Sequence, residues 1–210
     1  IINNQSAEEV WSASGGVKSI LENKINFITE VSLIGVTMLS GKKIFYPLVE
    51  NFHKNGILTI SIAPYEDKIL QEQAQNIHNK ITDELNYVGV LVIEFFVDNN
   101  GKLIANEMAP RVHNSGHWTI EGSNISQFEA HIMAVSNLMI DSIESKKNCA
   151  TLNILSKMPY IEKLKENGVF DIYDYGKTER KNRKLGHITL TNNDRASLMK
   201  KINEISDIIF

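Results

Sequence analysis

Cysteine is nearly absent from this chain, because Cys149 is the single one among 210 residues. One cysteine cannot form an intrachain disulfide, so the sequence excludes a disulfide-stapled secreted domain and predicts a buried Cys149 in a cytoplasmic protein. No run of residues approaches the roughly 18 apolar residues of a transmembrane helix, which excludes a membrane-spanning protein. The net charge of −3 offers no basic excess and argues against a nucleic-acid binder.

The N-terminus also lacks the features of a secretory leader. Residues 1–11 contain neither the basic nor the apolar region of a signal peptide, and the chain does not begin with methionine. We therefore expect processing or further residues upstream. The hydrophobic content of 42% and the charged content of 22% are ordinary for a soluble globular protein with one sizeable domain or two small ones.

Local sequence patterns predict more strands than helices. Ser6 and Glu9 have the spacing of a capping box and predict a short helix through Trp11. Apolar residues at helical spacing predict a long helix over 66–86 and a helix from Ser126 to about 138. A closing helix is predicted to carry Leu198, Ile202, Ile205 and Ile209 on one face. The predicted strands are 18–22, 25–39, 42–49, 57–62, 150–155, 169–175 and 185–191.

The order of these elements predicts the fold class. Strand runs around isolated helices indicate an α+β protein with a largely antiparallel sheet and packed helices. The polar segment 141–148 has the composition of a linker. We therefore expect a small C-terminal α/β lobe to follow it.

Two glutamates lie at opposite positions of a predicted hairpin, among apolar residues. The segment 88–108 reads VGVLVIEFFVDNNGKLIANEM, and its Asn100-Gly101 pair is typical of a two-residue hairpin loop. With that loop at the tip, Asn99 faces Lys102 and Glu94 faces Glu107. Like charges opposite each other destabilise a sheet, and a divalent cation removes that cost. The pattern predicts that Glu94 and Glu107 bind Mg²⁺ (or Mn²⁺) together with phosphate oxygens.

The hairpin alone leaves a second interpretation open. One glutamate would pair with a lysine or an arginine while the other reaches solvent, and a longer loop would shift the register. The following string, NEMAPRVHNSGHWT, favours the metal site, because it is too polar for a core strand and too rich in specific donors for a passive loop. In it, Arg111 offers a planar fork for phosphate or carboxylate, and His113 and Asn114 can orient a small polar ligand.

The stretch IEFFVDNNGKLIANEMAPRVHNSGHWTIEGSNISQFEAH resembles the signature of the N5-carboxyaminoimidazole ribonucleotide synthetases. This family, also described as the ATPase subunit of phosphoribosylaminoimidazole carboxylase, belongs to the ATP-grasp superfamily. The resemblance covers essentially the whole chain but only the later part of the family protein. It implies an ATP-grasp lid remnant and hinge at 1–29, a catalytic lobe at 30–146 and a small C-terminal domain at 147–210. The N-terminal Rossmann-like domain and the glycine-rich lid loop are expected upstream, so this chain alone is expected to be inactive.

The resemblance also implies where ATP binds. By matching positions, the backbone near Glu22 and Ile25 holds adenine, and Glu30 binds the ribose hydroxyls. His53 belongs to the same nucleotide site, although a histidine in a surface turn remains the alternative. Asn106 and Glu107 complete this set, with Asn106 or Asn114 as a neutral partner of the metal-binding carboxylates.

The implied reaction is the ATP-dependent carboxylation of 5-aminoimidazole ribonucleotide with bicarbonate, through carboxyphosphate, in purine biosynthesis. Arg111 is the implied catalytic residue, because a fixed cation stabilises carboxyphosphate or the carbon dioxide formed from it. Arg111, His113 and Asn114 contact the substrates, and His117 and Trp118 shape and dry the pocket. The resemblance further implies a homodimer and a functional partnership with the mutase that uses the product.

Two other function classes stay open. One is a different ATP-grasp carboxylase or ligase, such as a formate-dependent purine transformylase. The other is a non-catalytic ATP-grasp module that binds nucleotides or another subunit. Incorporation of labelled bicarbonate or labelled formate separates the two enzymes.

A basic segment near the C-terminus, YGKTERKNRKLGH at 175–187, is the last candidate site. On composition alone it is a solvated loop. Its Arg-Lys-x-Gly-His pattern resembles the end-of-chain signature of the family, which implies that it binds the 5′-phosphate of the ribonucleotide. By matching positions, Lys177 and Arg183 are the expected ligands, and Arg180 and Lys184 supply supporting charge.

Overall fold

A single antiparallel sheet organises the chain in the computed structural model, which describes residues 4–210. Its nine strands are β1 (Thr29–Thr37), β2 (Lys43–Phe45), β3 (Val49–Lys54), β4 (Ile57–Ala63), β5 (Gly89–Val97), β6 (Leu103–Ala109), β7 (Asn148–Leu155), β8 (Asp171–Asp174) and β9 (Lys184–Asn192). Their order is β6-β5-β1-β3-β4-β7-β9-β8, with β2 on the far end of β1. The prediction of an α+β protein with a largely antiparallel sheet is therefore confirmed.

Six helices accompany the sheet within residues 4–210. They are α1 (Ala7–Ala13), α2 (Lys68–Glu84), α3 (Thr119–Gly122), α4 (Gln127–Val135), α5 (Ile161–Glu166) and α6 (Arg195–Ile209), and a 3₁₀ turn covers Asn114–Gly116. The capping box of α1 forms as expected, with Ser6 and Glu9 bonding each other's backbone N–H groups. Helices α3 and α5 were not predicted from the sequence. In this part of the chain, no helix combines the length and the apolar character that a membrane span needs.

The two faces of the sheet carry different cores. Along β1 and β5, side chains alternate between a cluster that α4 covers and a cluster that α2 covers. Ile34 and Val92 belong to the first cluster, and Leu33 and Ile93 belong to the second. Cys149 is fully buried in the first cluster, as predicted, and burial raises the pKa of its thiol to about 12.

The C-terminal lobe extends the same sheet. Strand β4 pairs with β7 from Ile60–Leu152 to Ala63–Cys149, and β7 pairs in turn with β9. Helix α6 covers this end of the sheet with Leu198, Ile202 and Ile205 buried, as the periodicity predicted. Residues 147–210 thus continue the backbone ladder of the first lobe.

Two strand predictions are wrong at the N-terminal end. Residues 17–27 form neither helix nor strand, although 18–22 was predicted as a strand, and β1 begins at Thr29 instead of residue 25. Ile20 is 83% exposed, so its β-branched side chain has no sheet surface to pack on. The predicted strand over 42–49 is divided, because Pro47 separates β2 from β3.

Candidate active site

The hairpin of β5 and β6 places Glu94 opposite Glu107, as predicted, but its loop is longer and its register contains a bulge. Val97 pairs with Leu103, so the loop has five residues, Asp98–Lys102, instead of the predicted two. Asp98 N–H accordingly bonds the carbonyl of Lys102, so the expected pairing of Asn99 with Lys102 is wrong. A bulge between Glu94 and Phe95 then shifts the register by one residue and restores the alignment of the two glutamates.

The same bulge turns two consecutive residues of β6 toward one cavity. In a regular strand, neighbouring side chains point to opposite faces of the sheet. Here Asn106 and Glu107 both line a cavity of about 630 Å³, together with Glu94 and His113. The bulge therefore supplies two polar groups where a regular strand would supply one.

Glu94 is a buried carboxylate without a cationic partner. Its residue is 8% exposed, and its Oε1 has no hydrogen-bond partner. Burial, and then the nearby charges of Glu107 and Glu30, raise the pKa of Glu94 to about 7. Within residues 4–210, no lysine or arginine nitrogen lies within 4.0 Å of Glu94 or Glu107, so the interpretation that pairs one of them with a basic residue is not supported.

His113 stands between the two glutamates. Its Nδ1 lies 3.7 Å from Oε1 of Glu94, and its Nε2 lies 3.7 Å from Oε1 of Glu107. Burial, followed by the charges of Arg111, Lys184 and His53, lowers the pKa of His113 to about 4, so the ring is neutral near pH 7. The sequence predicted a substrate contact for His113 and did not predict its place between the carboxylates.

Glu94 and Glu107 fit a divalent cation, and His113 lies beside both carboxylates. One carboxylate oxygen of each glutamate and a ring nitrogen of His113 lie within 4.8 Å of one another. Carboxylate oxygens suit Mg²⁺ and Mn²⁺, and the unpartnered Oε1 of Glu94 has lone pairs available for an ion. Glu107, whose side chain is 60% exposed, faces the open side where phosphate oxygens would complete the coordination.

The remaining predicted nucleotide residues lie in two adjoining cavities. His53 Nδ1 is 2.9 Å from Oε2 of Glu30, and both residues line the cavity of the glutamate pair. Glu22 and Ile25 line a second cavity of about 430 Å³. The two cavities share Phe96 and Asn106, so the predicted ATP residues surround one continuous surface.

Gln127 is a site residue that the sequence reasoning missed, because it was taken as part of a helix start. It is fully buried, and its Oε1 accepts a hydrogen bond of 2.9 Å from the N–H of His113. Its Nε2 donates to the carbonyl of His113 at 2.7 Å and lies 3.3 Å from Nδ1 of His117. The side chain thus fixes the backbone of the polar loop from the base of α4.

The exposed residues of the polar loop 106–119 are accessible to ligands. Asn114 lines the cavity of the glutamate pair at the start of the 3₁₀ turn. Arg111 is exposed, and its guanidinium donates to the carbonyl of Val112 at 2.8 Å. Trp118 is fully buried in the core cluster that α4 covers.

A column of stacked rings connects this loop to the C-terminal lobe. His117 stacks on Phe128 at 5.6 Å and on His187 at 4.6 Å, and His187 stacks on Tyr173 at 4.5 Å. Burial, then the charges of Lys184, His187 and His113, lower the pKa of His117 to about 2. The predicted ligand loop of the C-terminal lobe therefore approaches the glutamate site through neutral aromatic rings.

Two lysines of the basic segment 175–187 lie near the Tyr175 ring, whereas Arg183 points elsewhere. The Nζ atoms of Lys177 and Lys184 lie 5.0 and 5.6 Å from the centroid of the Tyr175 ring. Burial and the charge of Lys177 lower the pKa of Lys184 to about 7, and its Nζ has no hydrogen-bond partner. Arg183 instead donates to the carbonyl of Thr178 at 3.4 Å. Lys177 and Lys184 therefore converge on the Tyr175 ring, and Arg183 turns toward Thr178.

The fold and the paired glutamates define the class of the protein. Residues 1–128 match the ATP-grasp domain family, so the chain belongs to the ATP-grasp family, whose fold the antiparallel sheet and its helices form. Residues 149–201 match the phosphoribosylaminoimidazole carboxylase C-terminal domain. The predicted fold and family are therefore confirmed.

Within that class, the chain is similar to N5-carboxyaminoimidazole ribonucleotide synthases. It is 43% identical over 195 residues to the Pseudomonas aeruginosa enzyme, which covers 93% of this chain and 54% of the relative. Its structure resembles that of the Thermus thermophilus enzyme, with a TM-score of 0.90 and 41% identity over 97% of this chain and 57% of the other. The chain spans about half the length of the curated relatives it matches.

A second solved structure carries ligands. The Aspergillus clavatus N5-carboxyaminoimidazole synthase, in complex with ADP and 5-aminoimidazole ribonucleotide, has a TM-score of 0.77 and 29% identity to this chain. The similarity covers 87% of this chain and 52% of the Aspergillus protein.

Proposed function

We propose that this chain forms the catalytic part of an enzyme that carboxylates 5-aminoimidazole ribonucleotide with bicarbonate, driven by hydrolysis of ATP. One observation carries the proposal: the buried, unpartnered carboxylate of Glu94 lies with Glu107 and His113 in a cavity that Glu30 and His53 also line. The similarity to N5-carboxyaminoimidazole ribonucleotide synthases supports the choice of reaction. The proposed product is N5-carboxyaminoimidazole ribonucleotide, formed through carboxyphosphate.

Glu94 and Glu107 would hold Mg²⁺ or Mn²⁺, which neutralises charge on the phosphates of ATP during phosphoryl transfer. Glu107 is exposed toward the cavity and Glu94 is buried in the sheet, so the pair presents one exposed and one buried carboxylate. Asn106 lies beside them on the bulge and serves as a neutral partner.

The other residues of the two cavities would bind the rest of ATP. In the proposal, the backbone near Glu22 and Ile25 holds adenine, and Glu30 accepts hydrogen bonds from the ribose hydroxyls. His53, whose Nδ1 lies 2.9 Å from Oε2 of Glu30, belongs to the same nucleotide site. The stacked rings of Phe27 and Phe96, with centroids 4.5 Å apart, form an apolar wall at the junction of the cavities.

The polar loop and the basic segment would bind the other substrates. Arg111 stabilises carboxyphosphate or the carbon dioxide formed from it, because its guanidinium carries a permanent charge. His113 and Asn114 contact the aminoimidazole nucleotide. Lys177 and Lys184 bind its 5′-phosphate beside the Tyr175 ring, with Arg183 and Arg180 as outer charges.

Substitution of the two glutamates tests the proposal in the intact protein. We expect Glu94→Gln and Glu107→Gln each to lower kcat by about 10²–10³-fold, because each removes an anion that holds the charge-neutralising metal. Glu84→Gln, an exposed carboxylate at the end of α2, is the matched control and should leave kcat unchanged. Unchanged ATP hydrolysis in both site variants at saturating Mg²⁺ would refute the metal assignment.

Product analysis separates the proposal from its alternatives. Labelled bicarbonate should appear in the product, whereas a formate-dependent transformylase would incorporate labelled formate. A protein that binds ATP and transforms neither substrate would be a non-catalytic ATP-grasp module.

Three further parts of the proposal concern the setting of the enzyme. We infer a cytoplasmic location, which agrees with a single cysteine that is buried and free. We also propose a homodimer, to be checked by analytical ultracentrifugation of the intact protein. The mutase that uses the product is the proposed functional partner, and coupled assays of the two enzymes test it.

A further inference from the structure

An unbroken chain of hydrogen bonds runs beneath the glutamate site, across three strands of the sheet. Ser61 on β4 donates to Oδ1 of Asn51 on β3 at 2.9 Å, and Nδ2 of Asn51 donates to Ser32 on β1 at 3.0 Å. Ser32 lies 2.8 Å from Oγ of Ser115, which lies 3.1 Å from Nδ1 of His113. The first four residues are at most 4% exposed, so water does not compete for these bonds.

The amide of Asn51 fixes the direction at the start of this relay. An amide nitrogen only donates and an amide oxygen only accepts, whereas a hydroxyl has one proton to give and two lone pairs that accept. Ser32 accepts from Asn51 and keeps its own proton to donate to Ser115. Ser115 accepts that bond and gives its proton to the ring of His113. The relay therefore ends with a donor aimed at Nδ1.

A second hydrogen bond also indicates that Nδ1 of His113 is an acceptor. The backbone N–H of Ser115 also points to Nδ1 of His113, at 3.4 Å. A backbone N–H can only donate, whichever way the amide of Asn51 is turned. Two donors meet at one ring nitrogen, so Nδ1 carries a lone pair and the proton of the neutral ring is on Nε2.

This arrangement has a consequence for both glutamates. Nδ1 faces Oε1 of Glu94 at 3.7 Å without a proton to offer, which agrees with the lack of any hydrogen-bond partner for that oxygen. The proton on Nε2 faces the exposed side, 3.7 Å from Oε1 of Glu107. With the opposite tautomer, a proton on Nδ1 would bond Oγ of Ser115 at 3.1 Å and would also place positive charge 3.7 Å from Oε1 of Glu94, where it would oppose a bound cation.

We infer that Ser32, Asn51 and Ser115 are positioning residues that hold His113 in its Nε2–H tautomer and so keep Oε1 of Glu94 free for a divalent cation. The tautomer is a property of the metal-free protein. The role of the freed oxygen rests on the proposed function, because it requires Glu94 to bind the metal.

The tautomer is measured by ¹⁵N NMR of histidine-labelled, metal-free intact protein at pH 8, where an imidazole of ordinary pKa is neutral. The two ring nitrogens of His113 report directly which one is protonated. We expect at least about a tenfold excess of the Nε2–H form, since two donors favour it. An excess of the Nδ1–H form would overturn the inference.

Asn51→Asp reverses the relay, because a carboxylate only accepts and takes the proton of Ser32 for itself. Ser115 then turns its proton toward Ser32 and accepts from His113, so the fraction of Nδ1–H should rise. If this variant does not fold, Ser32→Ala interrupts the relay without adding a charge and should raise the same fraction. Thr37→Val is the matched control, since it removes a buried hydroxyl on the same strand that has no hydrogen-bond partner. A tautomer ratio that stays unchanged in the folded relay variant would overturn the inference.

Titration with Mn²⁺ separates this inference from the proposed function. We expect Ser32→Ala to weaken Mn²⁺ binding by about ten- to a hundredfold and Thr37→Val to leave it unchanged. If Glu94→Gln fails to weaken Mn²⁺ binding, the metal assignment falls while the NMR result on the relay stands. If Glu94→Gln weakens binding and Ser32→Ala does not, the metal site stands and the relay has no role in it.

Discussion

At the residue scale, the fully buried Gln127 and the partly buried Gln71 make the same kind of contact in different places. Gln127 bonds both the N–H and the carbonyl of His113, and Gln71 bonds the N–H of Leu48 and the carbonyl of Tyr46. Each side-chain amide thus accepts one hydrogen bond from the backbone and donates one to it, as the backbone of a neighbouring strand would. Only Gln127 lies at the candidate site, so variants of the two glutamines distinguish an effect on stability from an effect on activity.

We expect Gln127→Ala and Gln71→Ala to lower the free energy of unfolding by similar amounts, about 2–4 kcal/mol, because each leaves two backbone groups unsatisfied. Urea denaturation measures this cost. Only Gln127→Ala should also lower kcat, by about tenfold or more, since it releases the backbone of His113. Equal kcat in the two variants would show that the loop keeps its geometry without the amide of Gln127.

Lys184 gives the site a defined pH dependence. Burial and the charge of Lys177 lower its pKa to about 7, so Lys184 is mostly neutral at pH 8. A bound phosphate dianion favours the charged form, so binding must take up a proton above pH 7, and affinity must fall as pH rises further. Below pH 7 the lysine is already charged and proton uptake disappears.

Calorimetry with 5-aminoimidazole ribonucleotide in buffers of different ionisation enthalpy measures that uptake. We expect close to one proton at pH 8 in the intact protein and none in Lys184→Met, which keeps the apolar stem of the side chain. Lys181→Met, at an exposed position of the same segment, should behave as the unsubstituted protein. Proton uptake that survives Lys184→Met would assign the titration to another group.

At the scale of elements, the loop and the bulge of the β5–β6 hairpin have separate tasks. Within the loop Asp98–Lys102, which the structure describes in full, only Gly101 has a positive φ, of 72°. Asp98 caps the loop by accepting from the N–H groups of Asn100 and Lys102, both at 2.8 Å. The bulge beside Glu94, and not the loop, then aligns the two glutamates.

Gly101→Val should therefore cost stability without changing metal affinity. A β-branched residue in the left-handed region costs about 1–2 kcal/mol, and no atom near Gly101 would clash with an added Cβ. Gly101→Asn is the control, because asparagine tolerates this conformation better. Thermal unfolding measures the cost, and Mn²⁺ titration measures the site. Loss of Mn²⁺ binding in a folded Gly101→Val protein would assign the alignment to the loop after all.

This hairpin also shows how far sequence reasoning reaches. Two apolar runs on either side of a turn signal located β5 and β6, and the acidic pair was expected because two carboxylates stood among apolar neighbours. The loop length was wrong, since Asn-Gly also fits a longer loop with glycine in the left-handed position. The bulge that corrected the register has no composition signal, because it depends on the twist of the whole hairpin.

The contacts that the sequence did not predict are those that depend on tertiary structure. Ser32, Asn51, Ser61 and Ser115 are ordinary residues in the sequence, separated by up to 83 positions in the hydrogen bonds they form. Only the order of β1, β3 and β4 brings them together. The resemblance of the polar loop to a known family located its outward-facing residues, but it carried no information about the side chains that hold the loop from below.

At the scale of the whole molecule, the two lobes share a backbone ladder and not only a surface. Ile62 and Ala63 are neighbours on β4, yet Ile62 packs in the cluster under α6, and Ala63 packs in the cluster under α4. On β7, Cys149 and Ala150 divide in the same way. Each of these strands therefore belongs to both cores, and neither core can open without disturbing the ladder of the other.

We therefore expect residues 30–210 to unfold in one cooperative transition, even when the perturbation lies in the C-terminal lobe. Ile154→Ala, at a fully buried position of that lobe, should lower the free energy of unfolding by about 2–5 kcal/mol. Trp118 is fully buried in the other core and reports on it by fluorescence. Its transition in urea should shift to lower concentration together with the circular dichroism signal, because the shared strands transmit the loss. Trp11→Phe removes the second, exposed tryptophan, so that the emission comes from Trp118 in this chain. A Trp118 transition that stays in place while the circular dichroism signal splits into two steps would show that the lobes unfold independently.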